Sequence, residues 1–331
     1  MSNILITGIT GFVGSHLADY LLKETDATIY GLTRWRSPKE NILHLVDNNR
    51  VFFEHGDLTD FSSLYKIIKE VRPEFIFHLA AQSYVPYSFD VPSATLDSNV
   101  IGTCNLLEVI KIIKLEDGYD PIIHICSSSE VYGQVDEKDI PIKEDCPFRP
   151  ASPYAVSKTG EDMLALQYWL SWKIKTIRTR MFTHTGPRRG DVFVTSSFAK
   201  QIAKIEANLQ PAVIHVGNLD SVRTFADVRD TVRAYWLLVN HYDAGEVYNI
   251  GGDTTMTIKE MLDKLISKST VKNIEIFVDK KLLRPSDVTL QIPCIDKFYK
   301  ITGWNPEISF DQTLEDTLNF WRKYYNKHEL Y

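Results

Sequence analysis

The 331-residue chain is poor in cysteine, and none of its four cysteines is placed to bind a metal. Cys104, Cys126, Cys146 and Cys294 are scattered, with no CxxC and no histidine at zinc-ligand spacing. Neither a structural zinc site nor a disulfide framework is expected; the pattern reads as free thiols in a reducing compartment. No run approaches the roughly 18 apolar residues that a membrane span requires. No basic stretch precedes the apolar N-terminus, which is broken by Gly8, Gly11 and Gly14. It reads as strand and helix rather than as a secretory leader. Long basic runs are missing too, and the net charge of -6 gives no field for nucleic acid or an anionic membrane surface. A cytoplasmic protein without nucleic-acid, membrane or metal partners is expected. An anionic substrate would have to be met by local arginines.

What the chain does have is alternation. Short apolar runs at Asn3–Gly8, Ala27–Thr33, Val51–His55, Phe75–Ala80, Ile122–Cys126 and Thr176–Phe182 are separated by amphipathic stretches. That is the pattern of a parallel sheet covered by helices. Phe12, Val13, His16, Leu17, Tyr20 and Leu21 form one helical stripe; Asn99–Leu115 and Ser152–Trp172 are further helices. Beyond residue 182 the alternation weakens. HTGPRRGD reads as a polar loop, Glu246–Ile250 as strand, Ile258–Ser267 as helix, Leu283–Gln291 as loop and strand, and Leu314–Tyr324 as a last helix. The length suits one large or two intimately joined units. The expected fold is a doubly wound, Rossmann-like α/β sheet with a smaller, discontinuous α/β substrate-binding domain. The first would take residues 1–182 plus about 218–250, the second about 183–217 plus 251–331.

Gly8, Gly11 and Gly14 follow an apolar strand and open a helix, the context in which such glycines bind a dinucleotide. They permit a tight turn and close backbone approach, and the helix N-terminus attracts a pyrophosphate. The spacing is GxxGxxG, and Thr10, Phe12 and Val13 complete the loop. Strand–helix packing alone is the competing explanation. After the second strand, where an NAD site usually carries an acid, the chain has Arg34 and Arg36. A guanidinium suits the extra phosphate of NADP. Asp57 and Leu58 follow the third strand within reach of an adenine, and Leu79, Ala80, Ala81 and Ser83 end the fourth.

Tyr154 and Lys158 stand four apart in SPYAVSK, on one helix face. The ammonium is expected to favour the phenolate and lower the tyrosine's pKa towards working pH. Ser128 and Glu130 lie two apart at the end of a strand, so period-two geometry aims both to one side. Together they describe redox chemistry on an alcohol, with an acid–base step beside it.

In order along the chain, TGITGFVG, GDLTD, HLAAQS, SSSEVYG, SPYAVSK and RTRMF resemble the extended short-chain dehydrogenase/reductase superfamily. AAQSYVPYSF, HTGPRRGDVFVTSSFAKQIAKIE, GNLDSVRTFADVRD and LRPSDV are similar to the GDP-mannose 4,6-dehydratase family and its GDP-4-keto-6-deoxyhexose reductase relatives. The resemblance covers nearly the whole chain. It implies that Tyr154 takes the proton of the sugar's C4 hydroxyl while C4 hydride passes to NADP, with Lys158 assisting and Ser128 orienting the oxygen. Glu130 would take the C5 proton and help water leave C6, to which the hydride returns. It further implies Arg223 and Arg284 at the diphosphate, and Ser83, Thr183, Val194 and Lys200 along the substrate pocket. His184 and Arg189 would lie near the cofactor or a subunit contact, in a homodimer or homotetramer. Thr183 stands where dehydratases commonly have Asn, and GFVG replaces their GQDG.

The leading expectation is an NADP-dependent GDP-sugar 4,6-dehydratase acting on GDP-mannose or a GDP-manno-heptose. An NADPH-dependent GDP-4-keto-6-deoxyhexose reductase is the rival enzyme. A non-catalytic NADP-binding regulatory protein is the alternative of another class.

Overall fold

A computed structural model describes residues 2–283 and 288–328. Strands β1 (Asn3–Thr7), β2 (Thr28–Thr33), β3 (Val51–His55), β4 (Phe75–His78), β5 (Ile122–Cys126) and β6 (Thr176–Met181) fall within two residues of their expected bounds. The trimmed ends have local causes. Gly8 turns to φ +77°, which stops β1. The N–H groups of Leu79 and Ala80 turn aside to the Thr7 hydroxyl, 3.1 Å from each, which stops β4. Further on come β7 (His184–Thr185), β8 (Val213–Val216), β9 (Val222–Asp227), β10 (Val247–Ile250), β11 (Thr254–Thr257), β12 (Glu275–Val278) and β13 (Leu290–Gln291).

The main sheet runs β10-β6-β5-β4-β1-β2-β3, all parallel. From β1 the chain winds outward to β3, then crosses back to β4 and winds the other way. A ligand crevice opens outside the carboxyl ends of strands at such a reversal, here between β1 and β4. Alternation along β1 sends Ile4 and Ile6 into one apolar cluster with Leu17, Leu21, Tyr235 and Leu238, and Leu5 into another with Ile68, Leu106, Ile110 and Ile123. Both faces are therefore covered, as a parallel sheet requires. The helices Phe12–Glu24 and Val228–Asn240 lie on the first face; Phe61–Val71, Gly102–Asp117 and Pro153–Trp172 lie on the second.

A third cluster is built from Phe198, Ile202, Phe225, Met261, Leu265, Leu314, Leu318 and Trp321, away from the main sheet. It joins the helices Val194–Glu206, Ile258–Ser267 and Phe310–His328 to β9, which pairs with β7, β11 and β13. Phe298 and Trp304, close to the C-terminus, return instead to the first cluster.

The helix Pro153–Trp172 matters most for the site. Ser152 caps it, its hydroxyl accepting from the Ala155 N–H at 3.0 Å, and Pro153 begins its first turn. Two turns on, the buried Asp162 carboxylate takes Arg178 and Arg180 of β6, each at 2.8 Å. Residues 178 and 180 share one face of their strand, so a single carboxylate pins the helix to the sheet.

Four histidines are held neutral, His16, His78 and His124 buried and His184 partly exposed at a cavity wall. Burial, aided by Arg188, lowers His16 to about 4; burial lowers His78, His124 and His184 to about 3. Their folded pKa values lie below the unfolded value of 6.5, so below that pH the unfolded chain binds more protons. The contribution to stability is full above pH 6.5 and is lost as pH falls towards the folded values. At about 1.4 kcal/mol per unit and group, the loss from about pH 7 to about pH 5.5 is on the order of 5 kcal/mol at most. A urea midpoint that stays constant over that range contradicts this.

Candidate active site

The turn after β1 is shaped by contacts that no side chain fits. A Cβ on Gly8 would sit 2.9 Å from the Ala80 backbone, and one on Gly14 would sit 2.3 Å from the Gly8 carbonyl oxygen. Gly11 is the N-cap of the helix that follows, and no side chain caps it. The first-turn residues Phe12, Val13 and Gly14, whose N–H groups have no partner within the helix, line a cavity of about 610 Å³. This cradle, with its uncapped helix, fits the pyrophosphate of a dinucleotide.

Of the residues expected at the cofactor, Gly8, Thr10, Gly11, Phe12, Val13, Gly14, Arg34, Asp57, Leu58, Leu79, Ala80, Ala81, Ser83, Tyr154, Lys158, His184 and Arg189 line that cavity. Arg36 is the exception. Its guanidinium lies 5.4 Å from the ring of exposed Trp35, and it does not reach the cavity. The turn at residues 34–37 closes with the Ser37 N–H on the Arg34 carbonyl, so the two arginines diverge and Ser37 joins Arg34 at the wall. Of the two arginines, Arg34 is the one that lines the cavity.

A second cavity of about 300 Å³ adjoins the first. Ser83, Ser128, Tyr154, Met181, His184 and Arg189 line both, so a reacting carbon held there would face both compartments. Glu130, Thr183, Val194 and Arg223 belong to the second cavity. Lys200 does not. Its ammonium is drawn to Asp191 at 2.5 Å and lies 5.4 Å from the Trp321 ring, which corrects the expectation that it lines the nucleotide pocket. Arg284 lies outside the described residues.

Ser128 and Glu130 converge by a different route from strand alternation. The strand ends at Cys126, and residues 129–132 form one 3-10 turn. Ser128 caps it, accepting from the Glu130 N–H at 3.2 Å, which fixes the two residues relative to each other. The loop following β6 is fixed by rings. His184 stacks on Phe12 at 5.9 Å, while the Arg189 guanidinium sits between Phe12 at 4.9 Å and Phe193 at 3.7 Å.

The electrostatics of the Tyr-Lys pair differ from expectation. Burial pushes the Tyr154 phenol up, and the opposing pull of Lys158 and Ser128 does not overcome it. A smaller upward push comes from behind the lysine, from Glu161. The Lys158 ammonium is 2.9 Å from the Glu161 carboxylate and 2.9 Å from the Cys126 carbonyl oxygen, so much of its charge is already answered. Sequence inspection missed Glu161 because a glutamate three residues after a lysine looks like an ordinary exposed helix pair. Ser37, Gln82, Tyr84, Cys126, Met181, His215 and Asn218 also line the cavities and went unassigned by role. Gln82, Tyr84, Met181 and Asn218 lie inside the quoted motifs, but a motif does not mark which of its side chains turns to a cavity.

The comparisons agree with this geometry. The chain matches the GDP-mannose 4,6 dehydratase family over residues 5–317. It is 34% identical to the GDP-mannose 4,6-dehydratase of Yersinia enterocolitica, over 94% of this chain and 91% of that protein. It is 35% identical to the GDP-6-deoxy-D-mannose reductase of Pseudomonas aeruginosa, over 96% of each. Among solved structures, RMD from Pseudomonas aeruginosa complexed with NADPH superposes with a TM-score of 0.83 at 33% identity, covering 98% of this chain and 100% of that one. The dTDP-glucose 4,6-dehydratase of Bacillus anthracis in complex with NAD also gives 0.83, at 26% identity, covering 100% and 99%. Cradle, paired cavities and matched length point one way: this chain belongs to the GDP-mannose 4,6-dehydratase family.

Proposed function

We propose that the protein is a GDP-sugar 4,6-dehydratase that converts GDP-mannose, or a GDP-manno-heptose, to its 4-keto-6-deoxy form. The observation that carries this is the Glu130 carboxylate on the wall of the cavity that Ser128 and Tyr154 share with the cofactor compartment. NADP is the cofactor this reading assigns, with Arg34 at the 2′-phosphate and the Gly8–Gly14 cradle at the pyrophosphate. Bound there, a nicotinamide supplies reversible two-electron oxidation of a sugar carbon.

The chain's own groups handle the protons. Tyr154 accepts the proton of the C4 hydroxyl, whose oxygen Ser128 orients. Once C4 is a ketone, the neighbouring C5 proton is acidic and Glu130 takes it as C6 loses water. Arg223, which donates to the Val222 carbonyl at 3.0 Å and to that of Val288, stands at the same cavity for the diphosphate. Val156, Met163 and Leu170, seven apart along one helix stripe, remain exposed and support a homodimer built on that face.

Incubation with GDP-mannose and no added reductant is expected to give a product lighter by one water. The Pseudomonas aeruginosa likeness supports the reductase as a second reading. No dehydrated product from hexose or heptose, together with NADPH consumption on a 4-keto sugar, would decide for it.

A further inference from the structure

We infer that Glu161 is a positioning residue for the catalytic ammonium, a buried counter-charge whose ionisation decides how readily Tyr154 gives up its proton. The inference rests on Tyr154 serving as the base.

The geometry is unequal for two adjacent carboxylates. Asp162 has both oxygens engaged, by Arg178 at 2.8 Å and Arg180 at 2.8 and 3.2 Å. Glu161 is 1% exposed, touches neither cavity, and has one partner, Lys158, on a single oxygen. Its Oε1 is buried with no hydrogen-bond partner among the described residues. A buried carboxylate half satisfied by one ammonium leaves protonation as the ready alternative to a stable ion pair.

The surrounding charges make that choice consequential. On the same helix Glu161 faces Lys158, Tyr154 and Asp162; from β5 the Cys126 thiol joins them. His78 on β4 and His124 on β5 feel Lys158 and stay neutral, and the Tyr235 hydroxyl from the helix above lies 3.4 Å from Cys126. Lys158 is the cation paired with Glu161, and the Arg189 guanidinium on the loop after β6 also faces the Tyr154 phenol. Burial works against the Lys158 charge, but Glu161 and Tyr154 more than compensate and hold its pKa above the usual range. Burial pushes Glu161 itself up to about 7, against the pull of Lys158. Below that pH the carboxyl is neutral, the ammonium stands uncompensated and the phenolate is favoured. Above it the carboxylate is charged, answers the ammonium, and makes Tyr154 a weaker acid.

Glu161→Gln keeps an oxygen for Lys158 and removes the charge. Its kcat on GDP-mannose, followed against pH, is expected to rise along a limb about one unit lower than the wild type's, about tenfold faster at a pH on that limb. KM and NADPH affinity should stay as in the wild type. A tyrosinate step in ultraviolet titration, present in Glu161→Gln and absent from Glu161→Gln/Tyr154→Phe, should move down in parallel. A limb in the same place as the wild type's, or a uniform fall in kcat, overturns the inference and leaves Glu161 a structural residue. If Glu161→Gln does not fold, Glu161→Asp takes its place. Its withdrawn carboxylate should shift the limb the same way by less, and an unmoved limb counts against the inference equally. A fully active Tyr154→Phe would sink the underlying function instead, so the two failures are distinguishable.

Discussion

Tyr154→Phe is expected to lower kcat on a GDP-sugar by about a thousandfold, with KM and NADPH affinity nearly unchanged. The hydroxyl lies at the junction of the two cavities, where on the proposed reading it accepts the C4 proton, and phenylalanine lacks that group. The ring is buried and its backbone N–H is held by the Ser88 hydroxyl at 3.1 Å, so the fold should tolerate the change. Single-turnover rates separate the chemical step from product release. A loss of less than tenfold there rules out Tyr154 as the base.

Glu130→Gln is expected to divide the reaction in two. Removal of the C4 proton does not involve Glu130, so the near-ultraviolet absorbance of reduced nicotinamide should appear on mixing with GDP-mannose. Dehydration should fall by about two to three orders of magnitude, because an amide cannot take the C5 proton. Exchange of that proton with deuterium from solvent should cease as well. If the variant still released water at close to the wild-type rate, the base at C5 would have to be sought elsewhere on the cavity wall.

The parts of this molecule that could be read from sequence are those where one residue's chemistry dictates its place. Gly8 and Gly14 could be assigned because only glycine tolerates their backbone contacts. Tyr154 and Lys158 could be paired because helical spacing fixes their common face. Strands β1, β4 and β5 stood out because burial on both faces demands continuous apolar runs. Beyond residue 182 that demand lapses. Strand β9 reads VRTFAD and packs Phe225 into a separate core, while Arg223 leaves for the cavity, so neither alternation nor an apolar run marks it. Arg36 and Lys200 were misplaced for a related reason. A motif shows that a cation is near, but a stacked Trp35 or a neighbouring Asp191 decides where it points. Glu161 shows the same limit from inside the fold, since burial rather than spacing gives it weight.

The abutment of Gly14 on the Gly8 carbonyl has one more consequence. Where side chains separate a helix from a strand, their repacking lets the gap drift with temperature or with substitutions in the core. Here main chain meets main chain, a hard stop with nothing compressible between. The distance from the strand tip to the helix's leading amides is thus a fixed gauge, insensitive to how the rest of the interior is later rebuilt.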